Sequence, residues 1–173
     1  MKIEITIAGF GGQGVVLAGQ ILGKAAVIDG KNAVQTQAYG AEARGSAAKS
    51  EVIISDGIIG FPLIRKCDIL IAMTQEAVDK NIKDLKENGT LIVDSSNVIS
   101  VPETKATVIE VPATQIAEAS CGEKLYANMI MLGALIKTTR IVGEKPMRTA
   151  IESSVPTKVT AENLLAFEKA LTC

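Results

Sequence analysis

Ile3-Glu4-Ile5-Thr6-Ile7-Ala8-Gly9-Phe10-Gly11-Gly12-Gln13-Gly14 opens the chain and decides how the rest is read. Residues 3–8 form a strand-like run, and four glycines follow at once. Val15 to Ala26 then reads as a helix of small residues, with Ala18, Gly19 and Gly23 suited to close packing on a sheet. Glycine admits positive φ and a close backbone approach. The first N–H groups of a helix lack internal partners and attract an anion or another acceptor. Strand, glycine loop and helix in this order raise the pattern above a bare motif match. Gly9, Gly11, Gly12, Gln13 and Gly14 are therefore candidate binding residues. The bland alternative is tight strand-to-helix packing.

An ordinary NAD site would carry Asp or Glu at the tip of the second strand, about 20 residues on. Here the second strand reads Asn32 to Gln37, and Gln37 stands at its tip. Asp29 lies at the right distance, but Asp29-Gly30 reads as a helix end. These residues speak against dinucleotide binding of the usual kind.

Composition narrows the classes further. The 173 residues amount to one domain, 1–173, and are 47% hydrophobic and 21% charged, so the chain is globular. A net charge of −1 and the lack of a basic run give no footprint for nucleic acid. Cys67, Cys121 and Cys173 are odd in number and far apart, with no CxxC pair. An iron–sulfur or zinc site held by this chain alone is not expected, and neither is any other metal site. The thiols fit a reducing cytoplasm. A start directly on a core strand is the expectation for a chain without a signal peptide. The apolar stretch from Tyr126 to Ile136 contains Asn128 and falls short of a membrane span. Histidine is absent, which removes the commonest general base and the Ser–His and Cys–His pairs. No catalytic residue is expected in this chain.

Tyr39 to Lys49 has neither helical nor strand period and reads as a structured loop beside the glycine loop. Open α/β sheets bind ligands at that edge. Arg44 in this loop is either half of a surface pair with Glu42 or a planar fork presented to phosphate or carboxylate. Ser50 to Ile54 is the third strand. A loop connection leaves open an antiparallel course and hence a mixed sheet. Ile58 to Ile64 is apolar, but Pro62 argues against a central strand. Asp56-Gly57 is a turn; Ser55 stands where a Gly-Asp-Gly thiamine diphosphate motif would start.

Cys67 to Met73 reads as a buried parallel strand, with Cys67 itself a small core residue. Thr74 caps a helix that keeps Ala77, Val78, Ile82 and Leu85 on one face and ends before Gly89. Strands follow at 90–94 and 107–111. Pro112 starts a helix to about Ala119, and Glu123 to Thr138 is the longest helix, apolar on more than one side. Asn128 inside it needs partners if buried, most simply a nearby loop. A short helix at 146–153 and a last one capped by Thr160 complete the chain. The order gives an α/β class: a three-layer Rossmann-like domain, a mostly parallel sheet and a helical C-terminal region.

Four stretches now make the chain resemble a known family. The opening glycine loop with Ala18-Gly19 is similar to the first signature of the gamma subunit of 2-oxoacid:ferredoxin (acceptor) oxidoreductases. Tyr39-Gly40-Ala41-Glu42-Ala43-Arg44-Gly45 is similar to the second, residues 68–77 to the third and residues 127–134 to the fourth. They cover most of the chain, about residues 3–155. Ser46 departs from the pattern, since the family often has a second glycine there. The resemblance implies oxidative decarboxylation of a 2-oxoacid such as pyruvate, 2-oxoglutarate or a branched-chain oxoacid, with coenzyme A taking the acyl group and ferredoxin the electrons. It implies thiamine diphosphate and iron–sulfur clusters in companion chains, with coenzyme A as a shared substrate. The partners implied are alpha and beta subunits, with delta a further candidate. Gly9, Gly11, Gly12, Gln13, Gly14, Tyr39, Arg44 and Asn128 are then the residues expected to border the coenzyme A side of the site. An independent nucleotide-binding oxidoreductase and a purely structural subunit remain the alternatives. A related domain occurs in indolepyruvate oxidoreductases, so the oxoacid stays open.

Overall fold

A computed structural model of the protein describes residues 1–40 and 46–173. The strand-like opening is β1 (Lys2–Phe10), followed by helix α1 (Val15–Ile28), β2 (Asn32–Tyr39) and β3 (Ala47–Ser55). Then come β4 (Cys67–Ala72), α2 (Gln75–Asn81), β5 (Leu85–Asp94) and β6 (Thr107–Val111). Four helices close the chain: α3 (Ala113–Cys121), α4 (Ala127–Thr139), α5 (Glu144–Ser154) and α6 (Thr160–Thr172).

The six strands form one sheet in the order β2-β3-β1-β4-β5-β6. β3 runs antiparallel to both β1 and β2. The pairs β1–β4, β4–β5 and β5–β6 are parallel. The sheet is thus mixed, and the reason is local: a short connection can return a strand only antiparallel. β3 fills the place beside β1 that a purely parallel fold would give to β2.

The two faces of the sheet are covered unequally. Ile5, Ile7, Val52, Ile54, Ile69, Ile71 and Ile92 point to one face, packed with α1, α3, α4, α5 and α6. Leu70, Ala72, Leu91 and Val93 point to the other, where α2 contributes Ala77 and Val78. β4 and β5 bury residues on both faces, hence their near-continuous apolar runs. Helix α4 is buried at every position from Ala127 to Ile136. Its Gly133 lies against α6, where a Cβ would meet the Phe167 carbonyl at 2.5 Å and Ala170 Cβ at 2.6 Å. Each large apolar side chain so buried contributes about 1.5–3 kcal/mol before entropy is counted.

Several expected boundaries shift. β2 runs to Tyr39 and β3 starts at Ala47, so both ends of the expected 39–49 loop are strand, and the tip of β2 is Tyr39 rather than Gln37. Helix α2 stops at Asn81, whose side-chain amide donates to the Ala77 carbonyl at 2.8 Å. A 3-10 turn over Ile82–Asp84 follows, and Leu85 already pairs with Cys67. Gly89 therefore belongs to β5 and does not end a helix. Its Cβ would meet the Asp68 carbonyl at 2.7 Å, a close approach between parallel strands. Thr160 is the first residue of α6 rather than its cap, and its hydroxyl donates to the Pro156 carbonyl at 3.3 Å.

Candidate functional site

β1 and β4 lie side by side, and the chain leaves them toward opposite faces, through α1 and α2 respectively. Such a divergence opens a crevice at the carboxyl ends of the strands. Here the glycine loop stands at that edge. Gly12 and Gly14 both have positive φ, at 93° and 71°, a backbone state that L side chains rarely adopt.

The loop is closed by its own atoms. Phe10 N donates to Gln13 Oε1 at 2.7 Å, and Gln13 N donates to the Phe10 carbonyl at 3.2 Å. Gln13 thus has its side-chain oxygen committed to the loop, a role beyond the ligand contact expected of it. Gly11 N donates to the Ser46 carbonyl at 2.9 Å, which ties the loop to the strand pair beside it. Gly9 packs against Gln13, Val15 and Met73, leaving no room for a Cβ.

Asn128 secures the loop from behind. It is buried in α4, and its Nδ2 donates to the Gly14 carbonyl at 3.2 Å while its Oδ1 accepts from Met129 N at 2.9 Å. Gly14 is the N-cap of α1 and provides no side-chain hydrogen bond to the first turn. The helix therefore presents its leading N–H groups toward the edge of the sheet, where a partial positive charge gathers. Helix α2 contrasts with it: Thr74 Oγ1 accepts from Ala77 N at 3.0 Å and caps the first turn.

Two concavities flank the loop. One, of about 350 Å³, is lined by Gly12, Gln13, Met73, Asn97, Thr114, Lys124 and Leu125. The other, of about 190 Å³, lies on the α2 side and is lined by Phe10, Tyr39, Gly40, Lys49, Glu76 and Lys80 among others. Gly12 and Gln13 border the first and Gly9 and Tyr39 the second, so the expected residues are divided between the two. Asn128 touches neither and acts through Gly14. Arg44 lies outside the described residues.

The wall of the larger cleft contains residues that no sequence pattern singled out. Asp94 ends β5 and is completely buried. Its Oδ1 accepts from Ser96 N at 3.1 Å and Thr114 N at 3.3 Å. Its Oδ2 accepts from Thr114 Oγ1 at 2.5 Å and Asn97 Nδ2 at 3.2 Å. Thr114 sits in the first turn of α3, so a distant carboxylate serves the helix start that Pro112 leaves without a side-chain cap. Asn97 Nδ2 also faces the Met73 carbonyl at 3.3 Å, joining the ends of β4 and β5. Asp94-Ser95-Ser96-Asn97 after a strand has the composition of an Asx turn, the one local signal for this network. Lys124 is the cation of the cleft, 3.6 Å from Glu118 in an exposed pair.

The thiols are spread over separate elements. Cys67 is buried at the foot of β4, and burial pushes its pKa up to about 11. Cys121 ends α3 and Cys173 ends the chain. This donor set does not fit an iron–sulfur cluster, and no group of three or more Cys, Asp or Glu could hold a metal among the described residues. Nor is any helix among them long and apolar enough to cross a membrane.

An α/β sheet with a crevice between diverging strands, walled by a glycine loop and an uncapped helix start, defines a doubly wound type of domain that presents backbone donors to a ligand or a partner. Comparison with known proteins narrows this class. The family model described as pyruvate ferredoxin/flavodoxin oxidoreductase matches residues 4–173. The 2-oxoglutarate synthase subunit KorC of Methanocaldococcus jannaschii is 49% identical, over 98% of this chain and 92% of that protein. The crystal structure of the keto/oxoacid ferredoxin oxidoreductase gamma subunit from Geobacter sulfurreducens is 43% identical, with a TM-score of 0.86 over 99% of both chains. A chain of the 2-oxoglutarate:ferredoxin oxidoreductase from Magnetococcus marinus shares the fold with a TM-score of 0.89 at 23% identity. There the fold accounts for 30% of a longer chain. The chain belongs to the pyruvate ferredoxin/flavodoxin oxidoreductase family and is a gamma-type subunit of a 2-oxoacid:ferredoxin oxidoreductase complex.

Proposed function

We infer that this chain forms the coenzyme A side of a composite active site. The complex would oxidatively decarboxylate a 2-oxoacid, pass the acyl group to coenzyme A, release carbon dioxide and deliver electrons to ferredoxin. Thiamine diphosphate and the iron–sulfur clusters would reside in alpha, beta or delta companions, because the scattered thiols of this chain do not make a ligand set. One observation carries the reading: the cleft at the carboxyl edge is lined by Gly12 and Gln13 of the glycine loop and by Lys124, and the start of α1, which has no side-chain cap, follows directly on that loop. That combination favours a phosphate-bearing substrate, since helix N–H groups and a lysine both attract anions. The Magnetococcus marinus structure that shares the fold contains 2-oxoglutarate, coenzyme A and succinyl-CoA. Asn128, Asp94 and Asn97 would act as positioning residues that hold the loop and the cleft wall in place.

The test is steady-state kinetics of the assembled complex carrying Lys124→Ala or Arg44→Ala. The expected result is a KM for coenzyme A raised about threefold or more, as for loss of an exposed charge contact, with the KM for oxoacid unchanged. Wild-type coenzyme A kinetics with intact assembly would remove the cleft from the coenzyme A path for Lys124→Ala, and would remove Arg44 from that path for Arg44→Ala.

A further inference from the structure

An open sheet has two edges, and the two edges here are built differently. β6, at one end of the strand order, has five residues (Thr107–Val111). It carries Glu110, and Pro112 follows it directly. A short strand, a charge and a proline are the devices by which natural sheets discourage further pairing. β2, at the other end, has eight residues (Asn32–Tyr39), none charged and none proline. Its pairing with β3 runs without a bulge from Asn32↔Ser55 to Tyr39↔Ala48. Lys31, which precedes it, is held by Asp29 at 2.5 Å. Among the described residues no strand pairs with the outer side of β2, so alternate residues turn their N–H and C=O groups outward. The edge is about 27 Å long, and an extended strand is the structure that matches such a row of donors and acceptors.

We propose that β2 is a self-association edge: two copies of this chain pair β2 to β2, antiparallel, about a two-fold axis at Thr36, and the sheet continues from one copy into the other. The inference is independent of the coenzyme A reading. Three observations select a second copy as the occupant. First, the strand is complementary to itself, as an isologous contact requires. With Thr36 opposite Thr36 of the copy, Gln35 faces Gln37, Val34 faces Ala38 and Ala33 faces Tyr39. Polar meets polar and apolar meets apolar, and cross-strand pairs of this kind stabilise a sheet. Second, like charges do not meet. β2 has none, and in the next row the Lys49 ammonium is neutralised by the Glu51 carboxylate at 3.2 Å. Third, apolar side chains are exposed at opposite ends of the edge. Tyr39 is 61% exposed at the end of β2, and Val27 and Ile28 are 58% and 45% exposed just before the turn that leads into it. Antiparallel pairing sets the start of one β2 against the end of the other, so Tyr39 of one copy comes to the Val27–Ile28 corner of its mate.

Sedimentation of the purified full-length chain over a concentration series tests this, with circular dichroism to show that each variant is folded. The wild type is expected to form a dimer at micromolar concentration. Thr36→Lys sets two lysines face to face across the axis. It should raise the dimer dissociation constant about tenfold or more, since like charges placed opposite one another repel. Thr36→Glu should do the same. An equimolar mixture of the two variants should restore the dimer, because each lysine then faces a glutamate. Gln37→Lys, at an exposed position of the strand, should weaken the dimer about threefold and covers the case in which the Thr36 variants fail to fold. Val108→Lys, on the β6 edge, should sediment as wild type. A wild-type chain that stays monomeric at about 100 μM would overturn the proposal. So would a dimer that withstands both Thr36→Lys and Gln37→Lys, or one that Val108→Lys breaks instead. Failure of the mixture to re-form the dimer would refute the axis at Thr36. Loss of binding to companion subunits in the β2 variants, with self-association unchanged, would overturn the proposal by assigning the edge to a companion.

Discussion

Gly14→Ala, made with and without Asn128→Ala, tests how the glycine loop is held. Two costs fall on the alanine. The first is backbone strain: Gly14 sits at φ 71°, where an L residue costs about 1–2 kcal/mol. The second is steric, because a Cβ at this position would lie inside the Asn128 side-chain amide. Asn128, buried in α4, must then rotate and give up its 3.2 Å bond to the Gly14 carbonyl. A buried amide left without its partner costs about 1–3 kcal/mol. Gly14→Ala should therefore cost about 2–5 kcal/mol in the wild-type background. On Asn128→Ala only the strain of about 1–2 kcal/mol remains. The coupling energy is about 1–3 kcal/mol. Urea unfolding of the isolated chain, followed by far-ultraviolet circular dichroism, reads these values provided the m-value stays constant. Equal costs in the two backgrounds would refute the Asn128 lock. A cost near zero would refute the left-handed conformation as well.

Two further outcomes follow from packing and charge. Gly133→Ala should lower stability by about 1–3 kcal/mol through overpacking, because its Cβ would press on the Phe167 carbonyl and Ala170 of α6; a melting temperature equal to wild type would contradict the contact. Arg148 holds the Glu168 carboxylate, with Nη2 3.1 Å from Oε2 and a second bond from Nε, and this pair lowers the pKa of Glu168. A lowered folded pKa gives stability that is present above the ordinary glutamate range and is lost as pH falls through the folded value. The pair is partly exposed, so Glu168→Gln should cost only about 0.5 kcal/mol at neutral pH and nothing once the wild-type carboxylate is protonated. A cost that persists unchanged in acid would show that packing, not charge, is responsible.

The parts of this fold legible in the sequence are those decided by neighbours in the chain. The run Cys67 to Ala72 announces a strand buried on both faces, and Thr74 announces its following helix by the cap it makes with Ala77. The glycine loop and the polar residue buried in α4 are equally visible, because each breaks a local pattern. The end of α2 was not legible. Lys86, Glu87 and Asn88 are polar and exposed, and they form strand only because Leu85 and Thr90 pair with the distant Cys67 and Ile69. The same limit applies to the site. Asp94 and Thr114 are 20 residues apart. No local pattern connects them, so the cleft wall emerges only once the strands are side by side.

On the proposed function, this chain would supply shape and backbone donors to chemistry carried by cofactors of its companions. Acyl-CoA formation by purified companion subunits, assayed with and without this chain, tests it most directly. The chain alone should show no turnover, and the companions should gain coenzyme A-dependent activity when it is added. Turnover by the isolated chain, or full coenzyme A-dependent activity of the companions in its absence, would contradict the account.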